Sequence, residues 1–238
     1  MKREERRASR REDVQRAALR IVAAEGLSAL TIQRVAKEVS ASVGGLYRYY
    51  PSKEAMIGAV AAAIIGDLAQ TQVADIEACR ARWAPENLDR GGAVLVAELL
   101  LSITVYTRLG DRNFEHQALL NAVHSDVSPV LPVEGAVELD VALEPLLIRV
   151  IGAIMGLQVA GTFSQGDAKL RAFVLWGTMF GVNQFRTRDR FSPPEYSTHE
   201  ILKGTFESLI VGFGATREIA TRSVSLWDEA NRALLAAR

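Results

Sequence analysis

Apolar residues recur at helical spacing from the first element of the chain onward. Val14, Ala17, Ala18, Ile21 and Val22 fall at i, i+3, i+4, i+7 and i+8, one face of an amphipathic helix. Gly26 stands where a C′ glycine would end that helix, with Leu27 free to pack back on it. A second helix is predicted from Thr31, suited to an N-cap, through Ile32, Val35, Ala36 and Val39. A longer alanine-rich helix begins near Ser52 and runs past Ile64 and Ile65; Glu54 follows Ser52 by two residues, so the capping-box spacing is absent. Farther on the pattern predicts only helices, with breaks at Ala84-Pro85, around Gly91-Gly92, between Ser128 and Gly135, at Gln165-Gly166-Asp167 and at Ser192-Pro193-Pro194. No strand-length alternation, internal repeat or low-complexity tract recurs, so the predicted fold class is all-α.

One stretch departs from this regularity. Residues 42–56, SVGGLYRYYPSKEAM, put two adjacent glycines into the first turn of a short helix, then three tyrosines around one arginine, then a proline. On a wheel of about 100° per residue, Val43, Leu46, Tyr47 and Tyr50 fall on the side suited to packing on the two preceding helices. Gly44, Gly45, Arg48 and Tyr49 fall on the other. Each glycine costs about 0.8–1 kcal/mol relative to alanine in a helix interior, and somewhat less in a first turn. A helix facing water gains nothing in return. A helix that must come close to another surface does gain, because a missing Cβ lets backbone N–H groups approach, and the N-terminal partial charge favours phosphate. Two short helices joined by Ser40-Ala41-Ser42, with Ser42 as N-cap of the second, read as a helix-turn-helix whose second helix enters a DNA major groove N-terminus first.

Charge fits that reading once it is divided along the chain. The 28 basic and 28 acidic residues cancel, which alone argues against nucleic acid. Residues 1–66, however, hold about 12 basic against 7 acidic groups, leaving about 16 against 21 elsewhere. A basic segment on an acidic body marks one end for an anion. Lys2, Arg3, Arg6, Arg7, Arg10 and Arg11 offer a tail able to track phosphates or a minor groove. The single cysteine, Cys79, forms no internal disulfide and fits a reducing, cytoplasmic setting. Met1 to Arg11 is charged where a secretory signal needs an apolar core. The most membrane-like run, Val141–Phe163, is interrupted by Glu144, Pro145, Arg149 and Gln158, and its uninterrupted part falls short of the ~20 residues of a bilayer span. A buried helix is expected there, and no membrane partner.

Residues 10–57, and above all Leu46-Tyr47-Arg48-Tyr49-Tyr50-Pro51-Ser52-Lys53-Glu54, closely resemble the DNA-binding region of the tetracycline-repressor (TetR) family of bacterial regulators. The resemblance covers about a fifth of the chain. It implies a helix-turn-helix domain over residues 1–66 and a helical effector-binding and dimerisation domain over 67–238. It also implies phosphate contacts from Thr31, Tyr47, Tyr49 and Lys53, and base-edge reading by Gln33, Val43, Gly44, Gly45 and Arg48, with the N-cap Ser42 in the same surface. Two positions depart from the family pattern. Ser40 stands where a turn glycine is usual, so that bend must tolerate a Cβ. Gly45 stands where a hydroxyl residue or alanine is frequent, which shifts readout toward DNA shape.

The body is less explicit. Residues 168–187 are apolar over most of their circumference, with Gly177 and Gly181 lining one side, and the helix from about Thr198 to Gly212 carries Ile201, Leu202, Phe206 and Leu209. Such surfaces must be covered, either by the monomer core or by a partner. The resemblance implies a four-helix homodimer interface, with Trp176, Gly177, Phe180, Gly181, Phe206 and Leu209 as its candidates. It also implies an effector cavity within about residues 93–185, where Tyr106, His116, Asn121, Phe163 and Trp176 are of the kind that line a small-molecule site. An enzymatic alternative rests on Glu115, His116, His124 and Asp126. The two histidines lie eight residues apart, about 80° of rotation and two turns of rise on one helix, and no HExxH, cysteine cluster, phosphate loop or nucleophile elbow is present. The expectation is a ligand-responsive, palindrome-binding repressor without cofactor, metal site or catalysis. The alternative is a DNA-binding dimer that senses nothing.

Overall fold

The computed structural model describes residues 2–83, 92–125 and 133–237, with 2–8, 124–125 and 133–138 given by their backbone alone. The described residues form helices and turns, with no strand among them. In chain order the helices are α1 (Lys2–Glu25), α2 (Ile32–Glu38), α3 (Val43–Tyr47), α4 (Lys53–Trp83), α5 (Gly92–Ile103), α6 (Val105–Arg112), α7 (Phe114–Ser125), α8 (Val133–Val159), α9 (Ala168–Asn183), α10 (Thr198–Gly212) and α11 (Arg217–Ala236). The all-α class read from the sequence is the class found.

Local chemistry sets many of the boundaries. Gly26 follows α1 with φ +82°, a left-handed conformation that favours glycine. Thr31 caps α2, its Oγ1 accepting from Arg34 N at 3.2 Å, and Ser52 caps α4, its Oγ accepting from Ala55 N at 3.0 Å. Asp167, in the expected break, caps α9 through Leu170 N at 3.0 Å. Of the other breaks, Ala84-Pro85 and Ser128 lie outside the described residues, and α8 is already under way at Gly135. The basic tail read at the N-terminus belongs to α1, which begins at Lys2; the side chains of Lys2, Arg3, Arg6 and Arg7 lie outside the described ones.

The chain divides into two compact units, residues 1–67 with 109–144, and residues 68–108 with 145–238. In the first, α1 packs on α2 and on α7, and α2 on α3. The predicted stripe of α1 is its core face: Val14, Ala17, Ala18, Ile21 and Val22 are all buried, as are Leu30, Val35, Leu46, Met56 and Ile57. The amide end of Gln117 of α7 occupies the space that a Cβ on Gly110 would take, so a larger residue there would have to displace that side chain.

In the second unit α5 packs on α11, and α10 on α11 and α9. The α5 helix is buried almost all round, from Ala93 to Ile103. At Thr104 the chain bends by 48° into α6. Thr104 Oγ1 donates to Leu100 O at 2.8 Å, the back-bonding that bends helices, and accepts from Trp227 Nε1 at 2.9 Å and Arg108 Nη1 at 3.0 Å. Arg108 is fully buried. Its Nε donates to Asp75 Oδ2 at 3.1 Å, its Nη1 to Asn231 Oδ1 at 3.0 Å and its Nη2 to Leu101 O at 3.1 Å. One guanidinium thus joins α4, α5 and α11 beneath the bend. The α4 helix is long and apolar enough to cross a membrane by length and composition, but 56% of its most apolar window is buried inside the protein.

The two helices expected to pair in a dimer divide their apolar residues. Leu170, Phe173 and Val174 of α9 are exposed, and nothing stands within 4 Å of a Cβ built on Gly177, Gly181, Gly204 or Gly212. Trp176, Phe180 and Leu209 are half-buried. Phe206 corrects the sequence reading: it is fully buried in its own monomer, edge-on to Trp227 at 5.2 Å, and is not a surface group.

Arg108→Ala should lower the unfolding free energy by about 3–5 kcal/mol, because it leaves the buried Asp75 carboxylate without its cation. Urea denaturation measures this, and a loss below about 1 kcal/mol would show that the pair does not hold α4 to α11.

Candidate functional site

The short helix α3 is built from its caps outward. Ser42 Oγ accepts from Gly45 N at 3.1 Å and Ser42 O from Leu46 N at 3.1 Å, closing the first turn. Leu46 is buried and anchors the helix on its neighbours; Tyr50 is buried behind it, its hydroxyl pKa raised by that burial despite nearby Arg11. The turn before it is closed by Ala41 N donating to Ala36 O at 2.8 Å, a Schellman bond, with Ser40 at φ +50°. The bend therefore does carry a Cβ in the left-handed region, as the serine at this position requires.

Around that anchor the exposed groups form one surface. Thr31 and Gln33 of α2, Ser42, Val43, Gly44, Tyr47 and Arg48 are all exposed, and Tyr49 is half-buried. The wheel reading of α3 needs correction here. Val43 is 37% exposed and Tyr47 45%, although both were placed on the packed side. A helix of five residues has only one inward position per turn, and Leu46 takes it. The two glycines also differ. Nothing lies within 4 Å of a Cβ built on Gly44, whereas one on Gly45 would meet Ser42 Oγ at 2.9 Å. Gly45 is thus explained by the cap, and only Gly44 by space kept free outside the chain.

Two cations have partners within the unit. Arg10 Nη1 donates to Val39 O at 2.9 Å at the end of α2, which takes it from the phosphate-tracking tail, and Lys53 Nζ donates to Leu27 O at 3.1 Å. Arg11 is exposed and lines a groove between α1 and α4 with Gln15, Tyr49 and Tyr50. Arg34 pairs with Glu25, and Arg20 with Glu38 at 3.2 Å; such exposed pairs add little stability.

Residues 15–60, the span of this geometry, match the family model of bacterial regulatory proteins of the tetR family. That span is a tetR-family DNA-binding domain. No curated protein matches it in sequence. Among solved structures, its fold is similar to that of the transcriptional regulator FadR from Bacillus subtilis in complex with stearoyl-CoA, at TM-score 0.64 and 16% identity over 84% of this chain and 98% of that one. FadR from Bacillus halodurans gives 0.58 and 16%, with the same coverage. A TetR family regulator from Marinobacter aquaeolei VT8 gives 0.56 and 17% over 94% and 97%. The TetR-type helix-turn-helix makes this chain a DNA-binding transcription regulator.

The TetR-type body was harder to read. Of the five residues expected around an effector, His116 and Asn121 fall in the first unit, and Tyr106, Phe163 and Trp176 in the second. Tyr106 is buried against Phe180 at 5.9 Å, Phe163 meets Phe213 edge-on at 5.6 Å, and Trp176 stacks on Phe173 at 6.2 Å. His116 is half-buried, and burial holds its pKa below the usual value. His124 and Asp126 lie outside the described side chains. A cavity of about 420 Å³ instead opens in the second unit, lined from α4 by Val73, Ile76, Glu77 and Arg80, from α5 by Leu95, Glu98 and Ser102, and from α8 by Arg149, Ala153, Gly156 and Leu157. None of the five expected residues lines it. The one sequence signal was Arg149, an arginine interrupting an apolar run.

Gly45→Ala and Ser42→Ala should each destabilise the first unit, Ser42→Ala by about 1 kcal/mol. Together they should cost less than their sum, because removing Oγ clears the space for the new Cβ. Thermal melts of the four proteins measure the coupling, and strict additivity would mean that the cap does not account for Gly45.

Proposed function

We propose that this TetR-family chain is a homodimeric repressor that holds a palindromic operator and releases it when a small molecule enters the body. The observation carrying the reading is the bare tip of α3: a capped helix N-terminus whose Gly44 faces empty space, flanked by exposed Val43, Tyr47 and Arg48. Such a tip suits close backbone approach in a major groove. Gln33, Val43, Gly44, Gly45 and Arg48 would read base edges and groove shape, Arg48 pairing with guanine and Gln33 with adenine. Thr31, Ser42, Tyr47, Tyr49 and Lys53 would sit along the phosphates.

One helix-turn-helix buries little surface on DNA, and two-fold pairing supplies the second half-site roughly 34 Å away. Dimerisation is supported by Leu170, Phe173 and Val174 on α9, an exposed apolar stripe continued by the bare faces at Gly177 and Gly181. Residues 1–66 would then serve DNA and 67–238 pairing and sensing. Sensing is supported by the α4–α5–α8 cavity, whose size falls in the range of ligand sites. The similar FadR structure is a complex with stearoyl-CoA, which supports a ligand with an acyl chain in a body of this fold. Release requires that the effector favour a dimer whose two heads no longer match successive grooves.

Gly44→Leu should leave the melting temperature unchanged or slightly raised and weaken operator binding at least tenfold, since the new side chain favours the helix, meets nothing in the protein and intrudes on the DNA. Unchanged affinity in a binding isotherm would remove the close-approach argument. Lys53→Ala should lower affinity for all sequences and reduce the salt slope by about one unit. It should also lower the melting temperature slightly, because Nζ also holds Leu27 O. A loss confined to one operator sequence would misplace Lys53.

A further inference from the structure

The cavity between α4, α5 and α8 has a charge arrangement that selects among ligands. Its middle is apolar, formed by Val73, Ile76, Leu95, Ala153 and Leu157. Its two arginines differ. Arg80 is neutralised by Glu98, which accepts from Nε at 2.7 Å and from Nη2 at 2.6 Å. Arg149 has only neutral acceptors: Nη1 donates to Gln72 Oε1 at 3.2 Å, to Ala69 O at 3.3 Å and to Pro145 O at 3.4 Å. No carboxylate among the described residues pairs with it. Gln72, buried, is itself fixed by donating to Ser102 O at 3.1 Å, so the arginine is held at one end of the cavity by a positioned amide. Only one face of the guanidinium is used. Its Nε–H and Nη2–H groups, the fork that suits a carboxylate or phosphate, make no bond within the described chain.

We infer that the cavity binds an amphiphile whose anionic head sits on Arg149 and whose apolar tail lies along Val73, Ile76, Leu95 and Leu157. This deepens the effector reading and rests on it only for the consequence to DNA. Arg149 is exposed, so an uncharged head would leave its guanidinium to water and gain no ion pair from it. A cation would meet like charge at Arg149, and the two lining carboxylates, Glu98 and Glu77, both act on Arg80, Glu98 by hydrogen bonds and Glu77 through its charge.

Calorimetry on the full-length protein tests this with decanoate, decanol and decyltrimethylammonium, which share a chain and differ in the head. Decanoate should bind at least about tenfold more tightly than the other two, the range of one charge-assisted hydrogen-bonded pair. Arg149→Met should bring decanoate down to the level of decanol without weakening decanol, and Arg149→Lys should retain part of the preference. Gly156→Leu fills the cavity from a position with open space around its Cβ, so it should fold and bind none of the three. Equal binding of the three heads by the unmodified protein, no binding of any, or a preference that survives Arg149→Met would each overturn the inference. Operator titrations separate it from the reading beneath it. Decanoate that binds as stated without changing operator affinity leaves the anion site standing and removes its role as effector. A neutral or cationic molecule that occupies the cavity and releases DNA does the reverse.

Discussion

A helix of five residues does not persist in water by itself, since isolated helices below about 12–15 residues are marginal even with favourable sequences. The DNA-binding surface depends on overcoming that for Val43–Tyr47 while leaving its outer side empty. Three contacts do it: Leu46 is buried, Ser42 caps the first turn, and the Schellman bond from Ala41 N to Ala36 O fixes the angle at which the chain leaves α2. All three lie behind or beneath the helix. None uses Val43, Gly44 or Arg48; of the stabilising residues only Ser42 is also exposed. Arg10 and Lys53 extend the same scheme, each tying a backbone carbonyl of the surrounding turns, Val39 and Leu27, to a longer helix.

The second unit meets a different constraint. Its helices are apolar nearly all round, and apolar contact specifies neither register nor partner strongly. Arg108 supplies that specificity. Its donors reach a carboxylate on α4, a carbonyl on α5 and an amide on α11, and Thr104 links it to Trp227. A buried guanidinium is costly to desolvate, and it is tolerated because each direction in its plane meets an acceptor. The 48° bend between α5 and α6 lies at the same threonine, so the polar cluster and the break in the helix are one feature.

The parts legible in the sequence are those set by local periodicity and caps. The stripe of α1, the caps at Thr31 and Ser42 and the break that holds Asp167 were readable, since each depends on residues within one or two turns, while the bend at Ser40 was marked by the family resemblance. The faces of α3 were not, because a wheel presumes a helix long enough to have an axis, and Val43–Tyr47 is barely one and a half turns. Arg108 gave no signal, as an arginine is read as exposed until its partners, 33 and 123 positions away, are known. The cavity residues are equally distant in sequence: Arg80 and Glu98 carry no motif, and Tyr106, Phe163 and Trp176, which look like ligand groups by type, are used by neighbouring rings.

Charge distribution connects the two halves of the chain to a single function. A protein of zero net charge seems poorly suited to a polyanion only if charge is treated as a total. At physiological ionic strength the Debye length is about 8 Å, so a phosphate responds to groups within roughly that distance of the contact. Arg11, Arg48 and the amide groups of the α3 N-terminus fall in that local set by their place on the first unit, while acidic groups farther from the tip are screened. The acidic excess falls in residues 67–238, outside the span that matches the DNA-binding family model. Residues 67–238 hold about 16 basic groups against about 21 acidic ones, so the net attraction for a polyanion lies in residues 1–66, where the outward side of α3 has open space at Gly44.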